Sequence, residues 1–206
     1  MKIGIEAQRI YRPKKHGIDI VVLELLRHLQ QIDHDNDYVI FLHPDQDPCL
    51  EESARFKIST LDCPFYPYWE QVLLPRAAAN EQLDILHCTS NTAPLRVTMP
   101  LVLTLHDIIY MEKQQGGSRA MTAYQKFGQR YRRWIVPRIV PRCDRIITVS
   151  EFECQRIEKQ FHLPAGTLLA VYNGVSTLFN PVSDLTALKE VPRASGLPEG
   201  FIVFRG

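Results

Sequence analysis

The residues best suited by type to do chemistry stand in short polar segments, each directly after an apolar run. His106-Asp107 is the sharpest pair, because an imidazole beside a carboxylate can serve as acid, base or hydrogen-bond donor near neutral pH. The same pair also reads as an N-capping aspartate next to a histidine packed on a sheet edge. Lys14-Lys15-His16-Gly17 precedes an amphipathic stretch, and a glycine at a helix N-terminus lets backbone amides approach an anion that the helix dipole favours. That loop is neither G-x-G-x-x-G nor a Walker motif, and a solvated basic loop is the plainer account of it. Asp-x-Asp occurs at Asp33/Asp35, Asp35/Asp37 and Asp45/Asp47, a spacing that can hold a divalent cation on a diphosphate. The first two precede a strand and the third sits in a Pro-flanked loop, so all read as solvated turns. Cys49, Cys63, Cys88, Cys143 and Cys154 contain no C-x-x-C; Cys88 follows His87, but neighbours on a strand point to opposite faces, which argues against a paired nucleophile.

The elements that must position these groups alternate. Apolar runs at 2–5, 38–42, 56–61, 84–88, 101–105, 145–149 and 168–172 read as strands, most of them continuous enough to be covered on both faces. Between them, Ile18, Val21, Val22, Leu25, Leu26 and Leu29 fall at helical spacing, residues 69–80 read as a helix broken or started near Pro75, and 124–140 as an Arg-rich helix ended by Pro137 or Pro141. Ser150 is a good N-cap for a helix to about 160, with Glu153 at the capping-box position. Such alternation predicts an α/β fold with a Rossmann-like parallel sheet flanked by helices. Ligands of open α/β sheets bind at the carboxyl ends of the strands. The polar residues there are Glu6 and Arg9; His87, Thr89, Ser90 and Asn91; His106 and Asp107; Ser150 and Glu151; and Asn173 and Gly174. All can hydrogen-bond a sugar or phosphate, although loops are polar in any protein.

Arg119, Lys126, Arg130, Arg132, Arg133, Arg138, Arg142 and Arg145 interleave with Tyr124, Phe127, Tyr131 and Trp134. A basic, aromatic helix of this kind can lie on an anionic membrane surface. Alternatively, its aromatics pack on the sheet while its arginines face water.

Composition narrows the field. The 206 residues carry 24 Lys+Arg and 23 Asp+Glu, and this balance removes the bulk electrostatic case for nucleic-acid binding. Hydrophobic content of 45% and charged content of 23% exclude disordered, collagen-like and coiled-coil classes. Unpaired cysteine usage fits a reducing cytoplasm, the acidic Glu6 interrupts any leader-like apolar start, and no run approaches the ~18 apolar residues of a membrane span. The chain is expected to divide into a domain at 1–181, a turn-rich linker at 182–200, and a fresh strand at 201–206 that opens something further.

Seven blocks in order, KIGIEAQRI, HGIDIVVLELLRHL, WEQVLLP, DILHCTSNTAP, LVLTLHDI, RIITVSEFECQRI and VYNGVSTLFNP, resemble the N-terminal half of the group 1 (family 4) glycosyltransferases of GT-B architecture. The likeness is strongest to bacterial mannosyl- or rhamnosyltransferase-like members. It implies an acceptor-binding domain facing a separate donor domain, and metal-independent transfer with retention, from a nucleotide-sugar to a saccharide or lipid-linked acceptor, with no cofactor. It implies that His106 is catalytic beside the transferred sugar, with Asp107 holding the following turn. Gly17, Asn91, Asp107, Ser150 and Glu151 would line the cleft. His16, Gly17, Asn173 and Gly174 would stand on the donor-phosphate side, with His16-Gly17 where many relatives carry Gly-Gly. The donor half would be a missing partner, the isolated chain inactive, and the protein cytoplasmic, peripheral at the inner face of the plasma membrane. The alternative is a non-catalytic saccharide- or anion-binding module, or a partner subunit of a split enzyme.

Overall fold

The computed structural model describes residues 1–111 and 122–174. A compact unit, Met1–Asn173, is followed by a second, Gly174–Gly206. The expected end of the first domain at 181, the linker at 182–200, the strand at 201–206 and Arg119 all lie outside the described residues.

Seven strands form one parallel sheet: β1 (Lys2–Glu6), β2 (Asp37–Leu42), β3 (Phe56–Thr60), β4 (Ile85–Cys88), β5 (Leu101–Thr104), β6 (Arg145–Thr148) and β7 (Leu168–Ala170). Their spatial order is β3-β2-β1-β4-β5-β6-β7. The order reverses between β1 and β4, which pair in the register Ile3↔Ile85 to Glu6↔Cys88. Loops leaving these two strands diverge and open a crevice there. The fold class expected from the alternating apolar runs is the one found, with strand ends moved by one or two residues, as at β7.

Side-chain alternation divides the core between the two faces of the sheet. Tyr38, Ile40 and Leu42 of β2 join Ile5, Val22, Leu26 and Phe56 on one side. Val39 and Phe41 point the other way, into Trp69, Leu74, Leu86, Leu103, Ile135 and Ile146. Fully buried aliphatic and aromatic side chains of this kind each contribute about 1.5–3 kcal/mol. Helix α1 (Gly17–Ile32) covers the first face with Val22, Leu23 and Leu26, whereas Leu25 and Ile32 lean to solvent. Its first turn is closed by Asp19, whose carboxylate accepts from the His16 N–H at 2.8 Å.

The other face is covered by a helical segment at 66–80 and by α4 (Ala123–Ile139). The first is not a plain helix. It runs from α2 (Tyr66–Tyr68) through a π turn (Trp69–Leu73) into α3 (Leu74–Asn80), and the Leu74 N–H bonds the Trp69 carbonyl. Pro75 has no N–H for the carbonyl of Gln71, and its ring would crowd that oxygen; the widened turn relieves both. The break expected near Pro75 is therefore a π turn inside a continuous helical path. Helix α4 starts on Thr122, which accepts from the Gln125 N–H, and buries Ile135, Val136 and Ile139. Of its four aromatics only Tyr131 packs against the core, where one reading of the sequence had all of them do so; Tyr124 is 67%, Phe127 47% and Trp134 48% exposed. The aliphatic residues near the helix end supply the fully buried contact, because the apolar stripe that meets the sheet is 135–136–139. Helix α5 (Glu151–Phe161) begins on Ser150, which accepts from the Glu153 N–H at 3.2 Å. Glu153 departs from its capping-box role: its carboxylate binds Arg156.

Candidate active site

At the reversal between β1 and β4 lies a cavity of about 1350 Å³. Arg9 enters it from the loop after β1, Ser90, Asn91 and Thr92 from the loop after β4, and His16 to Asp19 from the start of α1. Phe65 and Tyr66 line it together with Thr122, Phe127, Tyr131 and Arg132, and Phe65 meets Phe127 with ring centroids 6.0 Å apart. This is the place the strand-end argument selects, and three of the residues expected in a cleft, His16, Gly17 and Asn91, come together in it. Gly17 faces open space, since a Cβ built on it meets no atom within 4 Å. Lys15 of the same basic loop is not free for an anion; its ammonium is held by Asp47 and by the Arg12 carbonyl at 3.1 Å.

His106 and Asp107 are not among the residues that line this cavity. His106 is buried, its N–H donates to Asn91 Oδ1 at 2.6 Å, and its Nε2 lies 3.0 Å from the Thr89 carbonyl. A carbonyl only accepts, so Nε2 carries the proton and Nδ1 keeps a lone pair. Burial lowers the His106 pKa below the usual histidine value, which favours this neutral form. Asp107 accepts from the Ile109 N–H at 3.1 Å and so does hold the following turn. Asn91 reaches its place through a left-handed backbone, with φ of 66°.

Ser150 and Glu151 form a separate cluster at the end of β6. There the Glu151 N–H faces Tyr172 Oη at 3.5 Å, and neither residue lines the cavity. Asn173 closes the first unit and is not among the residues that line the cavity, and Gly174 opens the second unit.

Beneath the cavity floor is a polar network the sequence reading missed. Glu70, at 0% exposure, accepts from Tyr66 Oη at 2.7 Å and from Gln71 Nε2 at 2.8 Å, and is bonded by the hydroxyls of Thr92 and Tyr131. Gln71 also donates to the Ala93 carbonyl at 3.0 Å and accepts from the Leu95 N–H at 2.9 Å, tying the network to the loop after β4. Burial, and then the Glu70 charge, raise the pKa of Tyr66 and Tyr131 well above that of an ordinary phenol, so both hydroxyls keep their protons. Glu6, also buried, accepts from the N–H groups of Gln8 at 3.0 Å and Thr89 at 3.3 Å. Desolvation, with a smaller push from Glu70, raises its pKa. Arg9 lies over the Tyr66 ring at 5.0 Å and brings the compensating positive charge. The only trace in the sequence was the place of Glu70, one helical turn after Tyr66 and next to Trp69, but a charged residue reads as surface unless it is paired.

On the outer side of α4, Lys126, Phe127, Arg130 and Trp134 border a shallow groove of about 580 Å³ that adjoins the cavity through Phe127 and Tyr131. Among the described residues, no helix is long and apolar enough to cross a membrane. Nor, among them, does any group of three or more His, Cys, Asp or Glu stand together as a metal site.

No curated protein matches the sequence. Among solved structures, HepE of Anabaena, crystallised with UDP-glucose, superposes with a TM-score of 0.60 at 14% identity, over 95% of this chain and 50% of HepE. WaaG, a glycosyltransferase involved in lipopolysaccharide biosynthesis, superposes with a TM-score of 0.59 at 10% identity, over 96% of this chain and 52% of WaaG. The chain thus spans about half the length of these structures and shares their fold over that half. The sequence profile described as Glycosyltransferase Family 4 matches residues 16–178, and by that match the chain belongs to glycosyltransferase family 4.

Proposed function

We propose that this chain is the acceptor-binding half of a retaining glycosyltransferase that acts without a metal ion, and that the cavity between β1 and β4 receives the acceptor. The cavity's position carries the reading: in a family 4 chain, a crevice of about 1350 Å³ opens where the strand order reverses. In the reaction, an acceptor hydroxyl oxygen takes the anomeric carbon, the bond from that carbon to the nucleoside diphosphate breaks, and the hydroxyl proton leaves. Neutral His106 fits a role as acceptor, through Nδ1, of a hydrogen bond from a hydroxyl of the transferred sugar, and not as a general acid. Basic groups and helix N-termini would offset the charge growing on the departing diphosphate. Arg9 and the start of α1 are the groups this chain brings to the cavity, with Asn173 and Gly174 leading towards a donor domain.

Transfer then requires that second domain. Radiolabelled UDP-, GDP- and dTDP-sugars incubated with the 206-residue chain and a bacterial lipid extract should give no product. The chain joined to a family 4 donor domain should give one. Turnover by the chain alone overturns the two-domain reading, and no turnover by the joined protein with any donor overturns the enzyme reading.

The outer side of α4 supports peripheral docking on the inner face of the plasma membrane, where a lipid-linked acceptor would reside. Exposed Phe127 and Trp134 beside Lys126 and Arg130 combine apolar insertion with attraction to anionic headgroups. Vesicles of phosphatidylglycerol should bind the chain at low salt and release it as salt rises, whereas phosphatidylcholine vesicles should not bind it. Equal binding to both lipids, or to neither, removes α4 from that role.

A further inference from the structure

We propose that Glu70 is a positioning residue for the acceptor: its buried carboxylate fixes the hydroxyls of Tyr66, Thr92 and Tyr131, so that both tyrosine rings stand as rigid walls of the cavity. The proposal rests on the reading of that cavity as a saccharide site. Four side chains from three parts of the fold can donate to this one group: Tyr66 and Gln71 from the helical path, Thr92 from the loop after β4, and Tyr131 from α4. Three of them, Tyr66, Thr92 and Tyr131, also line the cavity, whereas Glu70 does not reach it. Glu70 therefore acts through them. With their hydroxyls turned down to the carboxylate, the tyrosines offer ring surface to the cavity, the two rings set edge to face at 6.1 Å.

The π turn is the second observation. Glu70 and Gln71 both lie within it and both belong to the buried network. Glutamine at position 70 would keep the size but present an N–H₂ to hydroxyls and an amide that are themselves donors. A network of this kind, left half satisfied, loosens more than one contact.

The test uses the 206-residue chain labelled at tyrosine ¹³Cζ, with the Tyr66 and Tyr131 signals assigned from Tyr66→Phe and Tyr131→Phe. Methyl α-D-mannopyranoside and methyl α-D-glucopyranoside, at millimolar concentrations, are the probes. In the wild-type chain, a pyranoside should shift both signals. In Glu70→Gln, both signals should already be displaced without ligand, and the Kd for the pyranoside should rise by about fivefold or more. Displaced signals with an unchanged Kd would make Glu70 a purely structural residue and overturn the proposal, while leaving the saccharide reading intact. No response of the wild-type chain to either pyranoside would overturn the saccharide reading and the proposal with it. Where Glu70→Gln does not fold, Tyr131→Phe removes one arm of the clamp and should raise the Kd about twofold or more; an unchanged Kd there overturns the proposal.

Discussion

Asn91 holds His106: its side-chain oxygen accepts the His106 backbone N–H at 2.6 Å, while its own backbone sits in the left-handed region at φ 66°. The pair links the loop after β4 to the end of β5 and fixes the histidine against a residue that lines the cavity. Asn91→Ala strands a buried N–H and places a Cβ-bearing residue without a compensating bond in left-handed backbone. A loss of about 2–4 kcal/mol is expected in urea unfolding. Asn91→Gly removes the bond but relieves the backbone, so its loss should be smaller; equal losses would show that the backbone conformation contributes nothing.

Stability should fall in mild acid because of His87. Burial holds this ring neutral and lowers its pKa from 6.5 to about 4, with His106 adding to the push, while Nε2 stays 2.8 Å from Thr104 Oγ1. Between pH 6.5 and 4 the unfolded chain binds the proton and the folded chain does not, so stability is present above that window and is lost as pH falls through it. The contribution reaches about 3 kcal/mol. Unfolding midpoints measured from pH 7.5 to 4.5 should decline less steeply in His87→Gln than in the wild-type chain, and a slope unchanged by the substitution would assign the acid sensitivity elsewhere.

Gly4 in β1 is set by close approach. A Cβ there would stand 2.3 Å from Leu83 Cδ1, 3.1 Å from Phe41 Cε2 and 3.2 Å from Leu86 Cδ1. Gly4→Ala should cost about 1–3 kcal/mol through overpacking. Leu83→Ala makes room for the new methyl, so the double variant should be less destabilised than the sum of the singles by about 0.5 kcal/mol or more. Strict additivity in that cycle would show that Leu83 is not the obstacle.

Gly17 presents the reverse case, a glycine with empty space before it. Gly17→Leu should leave the melting temperature within about 2 °C of the wild type, as expected for a change of well under 1 kcal/mol in a chain of this size. Its side chain would project from the first turn of α1 into the cavity and weaken pyranoside binding by about tenfold or more. Unaltered binding would place the ligand away from α1.

How much of this was legible beforehand depends on the distance over which each feature is encoded. Ser150 as an N-cap, Asp107 as a turn holder and Asp33 as a turn residue rather than a cation ligand all rest on contacts a few residues apart. Asp33 indeed spends its carboxylate on Tyr38, Asn36 and the Asp35 N–H, which hold its pKa far below the ordinary value. Asn91 needed one more step, the rule that parallel strands end on a common edge, whereas His16 and Gly17 were placed beside it only by the family resemblance. That rule could not say that Ser150 and Glu151 form a different cluster, because strand order is a property of the assembled sheet.

The sequence by itself determined the alternation of strands and helices, the parallel sheet and the list of polar strand ends, since each follows from local periodicity and chain direction. Only the tertiary structure decided which of those ends share the cavity, that α4 turns Tyr124, Phe127 and Trp134 outward but Tyr131 inward, and that Glu70 is the centre of a buried network. A carboxylate can remain in the interior only when donors from several distant segments converge on it. That convergence between residues 66 and 131 exists only once the chain has folded.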